Sequence, residues 1–321
     1  MNAKYLVTGG AGFIGSLIVR RLVKEGHSVR VIDNLSTGMD KRLSELTSAI
    51  EFISADLADP AACDAAVSGV QYVLHQAAVP SVPRSIRDPI GTHRSNATAT
   101  LYLLESCRKN NVRRVVYASS SSIYGDTEVL PKREDMTPNP LSPYALQKFV
   151  GERYCKLYNS LFGLETVCLR YFNIFGPSQD PDSEYSAVIP KFIRKLLGGQ
   201  PLTVFGDGEQ SRDFTYVDNV VQANLLALQS REAPGKVFNI GCGERITLNR
   251  LIRCLEQILE INATIEFLPP RAGDVKHSLA DIRLAQNLLG YAPLVGVEEG
   301  LRKTVEAMRS SEQRSAISRQ E

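Results

Sequence analysis

Residues Lys4–Gly15, KYLVTGGAGFIG, decide how the rest of the chain is read. Lys4–Thr8 has the length and apolar content of a buried strand, and Ser16–Lys24 follows with helical periodicity. A glycine turn between a strand and a helix is the context in which a glycine pattern binds a dinucleotide. Gly9 would make the tight turn, Gly12 would let the backbone approach a pyrophosphate, and Gly15 would let the helix pack on the strand. Phe13 and Ile14 stand among these glycines, and the positive N-terminus of the helix that follows faces the phosphates.

A second apolar run, Ser28–Ile32, ends in Asp33 and Asn34. A carboxylate at that strand end accepts hydrogen bonds from a ribose diol and repels a 2′-phosphate. Neither Arg nor Lys occurs in Asn34–Thr37, so NAD is expected rather than NADP. Strand and helix patterns alternate through about residue 175, which predicts an α/β fold on a doubly wound parallel sheet. Beyond Gly176–Pro177 the pattern changes, with a helix expected over 186–198 and a strand over 201–205. The expected organisation is a dinucleotide-binding domain over 1–175 and a smaller α/β substrate lobe over 176–309. Residues 213–243 are expected to return to the first domain, and the polar tail 310–321 to fray.

The composition narrows the partners. Hydrophobic residues make up 43% of the 321, and the net charge is +2, so neither nucleic acid nor an anionic membrane is implied. No apolar stretch reaches the length of a membrane span, and a strand begins within a few residues of Met1; neither a span nor a signal peptide is expected. The six cysteines form no C-x-x-C pair and read as reduced thiols of a cytoplasmic protein. The four His lie apart, without metal-ligand spacing, so no metal site is expected.

Tyr144 and Lys148 form the chain's one Y-x-x-x-K pair, downstream of the serine run Ser119–Ser122. On a helix this spacing stacks the two side chains about one turn apart. An ammonium beside a phenol favours the phenolate, so the Tyr144 pKa is expected to fall towards neutrality. With a serine hydroxyl from a nearby strand end, the pair makes a general acid–base unit.

The GxxGxxG spacing, with several further stretches in order, resembles the extended branch of the short-chain dehydrogenase/reductase superfamily, a Rossmann fold. The likeness runs from about residue 3 to about 305. It implies that Asp56 and Leu57 meet the adenine and that Gln76, Ala77 and Ala78 run under the cofactor. It further implies that Asn96 is the family's helix asparagine, that Ser119 lies on the strand delivering the serines, and that Tyr171 flanks the nicotinamide. Lys148 would bridge the nicotinamide ribose, and Ser120 aligns with the catalytic Ser or Thr.

The second half is similar to the family's nucleotide-sugar block. Leu202, Val204 and Phe205 would offer an edge strand for a base. Arg212 and Arg271 would offer planar forks for a diphosphate, with Asp274 available to a ribose hydroxyl. Val188 would add backbone contacts near the base, and Asn173 and Ser120 would face the sugar. The family's 4,6-dehydratases carry Asp and Glu where this chain has Ser121 and Ser122, so dehydration is disfavoured. UDP-sugar 4-epimerisation remains, with Tyr144 taking the 4-hydroxyl proton.

The resemblance also implies a sugar. The residue four past Asp274 walls the 2-substituent in hexose 4-epimerases, and here it is Ser278, which leaves room for an acetamido group. Ser81–Ser85, with Arg84, also resembles UDP-N-acetylglucosamine 4-epimerases. UDP-glucose and N-acetylated uronic acids stay open as substrates, since Arg84 or Lys276 could meet a carboxylate. A one-way nucleotide-sugar reductase and a cofactor-sensing regulator are the readings from other classes. In relatives, the helices corresponding to 92–109 and 144–162 build a homodimer, which is expected here.

Overall fold

The computed structural model describes residues 4–179, 188–270 and 275–317. Its first half alternates strands and helices: β1 (Lys4–Thr8), α1 (Phe13–Lys24), β2 (Ser28–Asp33), β3 (Ile50–Ser54), α2 (Pro60–Val67) and β4 (Tyr72–His75). There follow α3 (Val82–Arg87), α4 (Pro89–His93), α5 (Ala99–Lys109), β5 (Arg114–Ser120), α6 (Pro143–Phe162), β6 (Glu165–Tyr171) and β7 (Ile174–Phe175). The second half comprises α7 (Val188–Leu197), β8 (Leu202–Phe205), β9 (Ser211–Arg212), β10 (Thr215–Tyr216), α8 (Val217–Gln229) and β11 (Val237–Ile240). The chain then runs through β12 (Ile246–Thr247), α9 (Leu248–Leu259), β13 (Ile265–Leu268), α10 (Arg283–Leu289) and α11 (Val297–Ile317).

Seven strands form one parallel sheet in the order β11-β6-β5-β4-β1-β2-β3. Chain order reverses at β1, which pairs with both β2 and β4, and ligands of such sheets bind beyond the strand ends at this crossover. Side chains alternate across the pleat, so Leu6 and Val115 face one layer of helices while Val7 and Val116 face the other. Ile18 and Leu22 of α1, Val220 of α8 and Ala285 of α10 fill one face. Cys63 of α2, Leu103 of α5 and Cys155 of α6 fill the other. Each fully buried Leu or Ile contributes on the order of 2 kcal/mol.

A third core, with Ile193, Val204, Leu251, Leu255 and Leu301, holds the lobe built from α7, β8, α9, β13 and α11. Strand β11 returns to the edge of the main sheet. Residues past 243 return as well, since Ala280, Ala285, Leu289 and Tyr291 join the core under α1 and α8. The sequence pattern does not show this second return, because α10 is short and its partners are distant in the chain. Helix α11 continues through Ile317, beyond Ser310 where fraying is expected. Among the described residues, no helix is long and apolar enough to cross a membrane.

Candidate active site

The loop after β1 is built around close backbone contacts. Gly9 has φ +65°, and a Cβ there would lie 2.7 Å from the Ala77 backbone. A Cβ on Gly15 would lie 2.1 Å from the Gly9 carbonyl oxygen, so the first turn of α1 can meet the end of β1 only through a glycine. Gly12 caps α1 without a side-chain hydrogen bond, leaving first-turn N–H groups facing the cleft. Helix α1 therefore starts at Phe13, earlier than its apolar periodicity predicts.

At the end of β2, Asp33 accepts the Ala11 N–H at 2.9 Å on one carboxylate oxygen and the Leu35 N–H at 2.8 Å on the other. Each oxygen keeps a lone pair for a ribose hydroxyl. Asn34, Asp56, Leu57, Gln76, Ala77 and Ala78 line the same cleft. This cradle fits NAD: an uncapped helix start for the diphosphate, a glycine floor, and an acid at the ribose position.

Ser120 ends β5, and Tyr144 and Lys148 lie on the first turns of α6, all lining the cleft. Pro143 opens that helix and Ser142 caps it, its oxygen accepting the Ala145 N–H at 3.2 Å. A Cβ on Gly151 would meet the Tyr117 hydroxyl at 2.2 Å, so that glycine brings α6 close to β5. Ser120 Oγ accepts from the backbone N–H of Ser122 at 3.2 Å and from its hydroxyl at 2.9 Å. Its own proton is free for Tyr144, and the hydrogen bond between Ser120 and Tyr144 draws the phenol pKa down.

The expected effect of Lys148 on Tyr144 is not found. Lys148 Nζ donates to the Ala118 carbonyl at 2.8 Å and lies 5.1 Å from the Tyr117 ring centre. Burial pushes the Tyr144 pKa up to about 12, with Ser120 opposing it. Burial also pulls Lys148 down to about 8. The helical spacing puts both residues on one face, but the longer chain of Lys148 reaches across to β5.

A buried network supports these groups. Ser119 Oγ donates to Glu152 at 2.6 Å, and Glu152 binds Arg170 through two bonds of 2.8 Å. The Arg170 guanidinium covers the Tyr124 ring at 4.7 Å, and Tyr124 donates to Asn239 at 2.6 Å. Ser119 lines the cleft while its hydroxyl is committed to Glu152. Below the glycine loop, the Thr100 hydroxyl donates to the Asn96 carbonyl at 2.5 Å, so it must accept from His75 Nε2 at 2.9 Å. Nδ1 is then bare and accepts from Thr8 at 2.7 Å, while Thr8 accepts the Ala77 N–H at 3.2 Å. Burial holds His75 neutral, its pKa pulled down to about 3.

Asn96 stands in a π-helical turn, 1% exposed, exchanging bonds with Val79 and donating to Gln147 at 2.8 Å. Its side chain is thus behind the cleft wall rather than on it. Tyr171 and Gln76 do line the cleft, joined at 3.2 Å and braced by Asn224.

A second cavity of about 990 Å³ opens from the cleft and shares Asn173, Ile174, Arg212 and Val275 with it. Val188 and Phe205 line it, but Leu202 and Val204 do not; both are buried in the lobe core. Strand alternation turns Thr203 and Phe205 to the cavity instead. Arg212 is held at its mouth by the carbonyls of Ser211 and Lys276, each at 3.0 Å. Asn173 donates to the Asp213 carbonyl at 2.9 Å. Arg84, Ser121, Ser122 and Ser278 face the cleft. Arg271 and Asp274 lie outside the described residues. Sequence reasoning missed Thr203 and Gln210 in the second cavity, and Arg42 and Lys132 in the cleft. Alternation about Val204 points to Thr203; Arg42 and Lys132 stand in stretches without a motif.

Together the crossover cleft, glycine loop and Ser–Tyr–Lys cluster define a dinucleotide-dependent enzyme. Residues 5–241 match the NAD dependent epimerase/dehydratase family. The UDP-glucose 4-epimerase of Mycolicibacterium smegmatis is 38% identical over 317 residues, covering 96% of this chain and 99% of that one. A structure of UDP-N-acetylglucosamine 4-epimerase from Methanobrevibacter ruminantium, in complex with UDP-N-acetylmuramic acid, is 41% identical with a TM-score of 0.93, covering 97% and 99%. The UDP-glucose 4-epimerase of Thermotoga maritima, with UDP-glucose, superposes with a TM-score of 0.92 at 38% identity, covering 96% and 99%. The chain belongs to the NAD dependent epimerase/dehydratase family, and NAD is its cofactor.

Proposed function

We propose that the protein interconverts UDP-N-acetylglucosamine and UDP-N-acetylgalactosamine by 4-epimerisation. NAD, when bound, supplies the acceptor and donor of the C4 hydride. Tyr144 Oη takes the proton of the sugar 4-hydroxyl and returns it after the 4-keto sugar has turned over about its diphosphate. Ser120 donates its proton to the Tyr144 oxygen, stabilising the phenolate, while accepting from the Ser122 hydroxyl behind it. Lys148, held at the Ala118 carbonyl, is assigned to the nicotinamide ribose. Arg212 holds the diphosphate, with Arg271 and Asp274 assigned to the diphosphate and ribose.

The observation that carries the sugar is Ser278. It faces the cleft that holds Ser120 and Tyr144, and its small side chain leaves space for an acetamido group. UDP-glucose and UDP-galactose are expected as weaker substrates. Ser121 and Ser122 lack the acidity that water elimination needs, so no 4-keto-6-deoxy product is expected. Proton NMR of the purified protein with UDP-N-acetylglucosamine, without added cofactor, tests this reading. Growth of the C4 epimer to a stable mixture is expected; no change after NAD is added would overturn it.

A homodimer through α5 and α6 is part of the same proposal. Leu146, Leu157 and Leu161 stand on α6 with 51%, 44% and 67% exposure, an apolar stripe that a second copy would cover. Light scattering should return twice the 35.3 kDa chain mass.

A further inference from the structure

Lys132 is a charged side chain in the cleft wall that the chemistry above leaves without a role. It is 2% exposed and lines the cleft with Ser122, Gly125 and Ser278. Its backbone is fixed: the N–H donates to the Leu279 carbonyl at 2.7 Å, and its carbonyl accepts from Asp281 N at 2.9 Å and Asn239 Nδ2 at 2.8 Å. Ser278, the neighbour of Leu279, donates its N–H to Ser211 at 3.0 Å. The segment 278–281 thus pairs with Ser211 at one end and with Lys132 at the other, and both Lys132 and Ser278 line the cleft.

The Lys132 ammonium carries three donors, and among the described residues one of them is met, by the Thr127 carbonyl. It forms no ion pair among those residues, and burial pulls its pKa down with Asp126 opposing. A buried cation with open donors is costly unless something accepts from it. An acceptor on a ligand bound in the cleft would meet the remaining donors.

We infer that Lys132 is a specificity-determining residue, donating to the acetamido carbonyl oxygen of the bound sugar beside Ser278. This rests on the reading of the protein as a UDP-N-acetylhexosamine epimerase and extends it: Ser278 makes room for the substituent, and Lys132 binds it. A neutral carbonyl suits a single ammonium already tied to Thr127. A hydroxyl in the same place, as in a UDP-hexose, lacks the carbonyl oxygen that this contact uses.

The test is calorimetric titration of the wild type and Lys132→Met with UDP-N-acetylglucosamine, UDP-glucose and UDP. Lys132→Met keeps the aliphatic stem and the backbone bridge. The variant is expected to bind UDP-N-acetylglucosamine about tenfold more weakly or worse, as for loss of a charge-assisted hydrogen bond. UDP-glucose and UDP should bind within about twofold of wild type, which also shows that the pocket is folded. Unchanged affinity for all three overturns the inference. So does an equal loss for UDP-glucose, which would place Lys132 on a group both sugars share, or an equal loss for UDP, which would make it a strap for the Thr127 loop. A wild type that binds UDP-glucose but not UDP-N-acetylglucosamine overturns the acetamido-sugar reading beneath it as well, and leaves the epimerase reading standing.

Discussion

Lys148 Nζ and the Ala118 carbonyl oxygen meet at 2.8 Å, across the seam between the catalytic helix and β5. The ammonium is therefore tied to the sheet, and Ser120 is the group that hydrogen-bonds the Tyr144 phenol. Burial makes the phenol a weaker acid and the ammonium a stronger one than exposed residues would be. Ser122, Ser120 and Tyr144 form one chain of hydrogen bonds, with the lysine anchored to one side.

Removing the phenolic oxygen should stop the chemistry without emptying the cofactor cradle. Tyr144→Phe is expected to lose at least about a hundredfold in turnover, the usual worth of a positioned acid–base group. NAD content, read by absorbance after denaturation, should match wild type. Near-normal turnover would remove Tyr144 from its role.

Filling the wall at Ser278 should discriminate between sugars. Ser278→Tyr is expected to raise KM for UDP-N-acetylglucosamine by about tenfold or more while changing UDP-galactose less than about threefold, since overpacking one substituent pocket costs roughly 1–3 kcal/mol. Parallel steady-state assays on both substrates decide it; equal losses would mean that Ser278 does not sit at the 2-substituent.

Glu152 and Arg170 form a buried ion pair under the catalytic strand. Glu152→Gln leaves the guanidinium uncompensated and should cost about 3–5 kcal/mol in urea unfolding. The neutral carboxamide also holds the Ser119 hydroxyl more weakly, so kcat should fall along with stability. A loss below about 1 kcal/mol would show that Arg170 finds another partner.

His75 gives the fold a pH dependence. Its pKa is about 3 in the folded protein against 6.5 as the ordinary value. The unfolded chain therefore binds the extra proton between those values, and the contribution is complete above pH 6.5 and lost as pH falls towards 3. Between pH 7 and pH 5 the loss from this residue is roughly 2 kcal/mol. Urea melts of wild type and His75→Gln at the two pH values should differ in slope by that amount. Parallel losses in the two proteins would place the titration elsewhere.

Much of the site is legible in the residues. Gly9 and Gly15 announce the cradle because a side chain there would strike backbone, and Asp33 follows at the next strand end. Tyr144 and Lys148 declare a shared face by spacing. Leu202 and Val204 show the limit: the segment is a strand as expected, but which of its faces meets the cavity depends on the helices packed beneath it. Asn96 is similar, a polar residue near the cleft whose side chain is used up inside the wall.

Local physics, then, is what the chain itself determines: turn glycines, strand and helix periods, and the spacing of reactive groups are set by backbone sterics and hydrophobic pattern. Tertiary packing decides where long side chains end and how buried their charges are. Lys148 turns to Ala118, Lys132 enters the cleft from a stretch with no pattern, and residues 280–291 rejoin the first core. Each of these outcomes depends on partners distant in sequence and on a desolvation that exists only once the layers close.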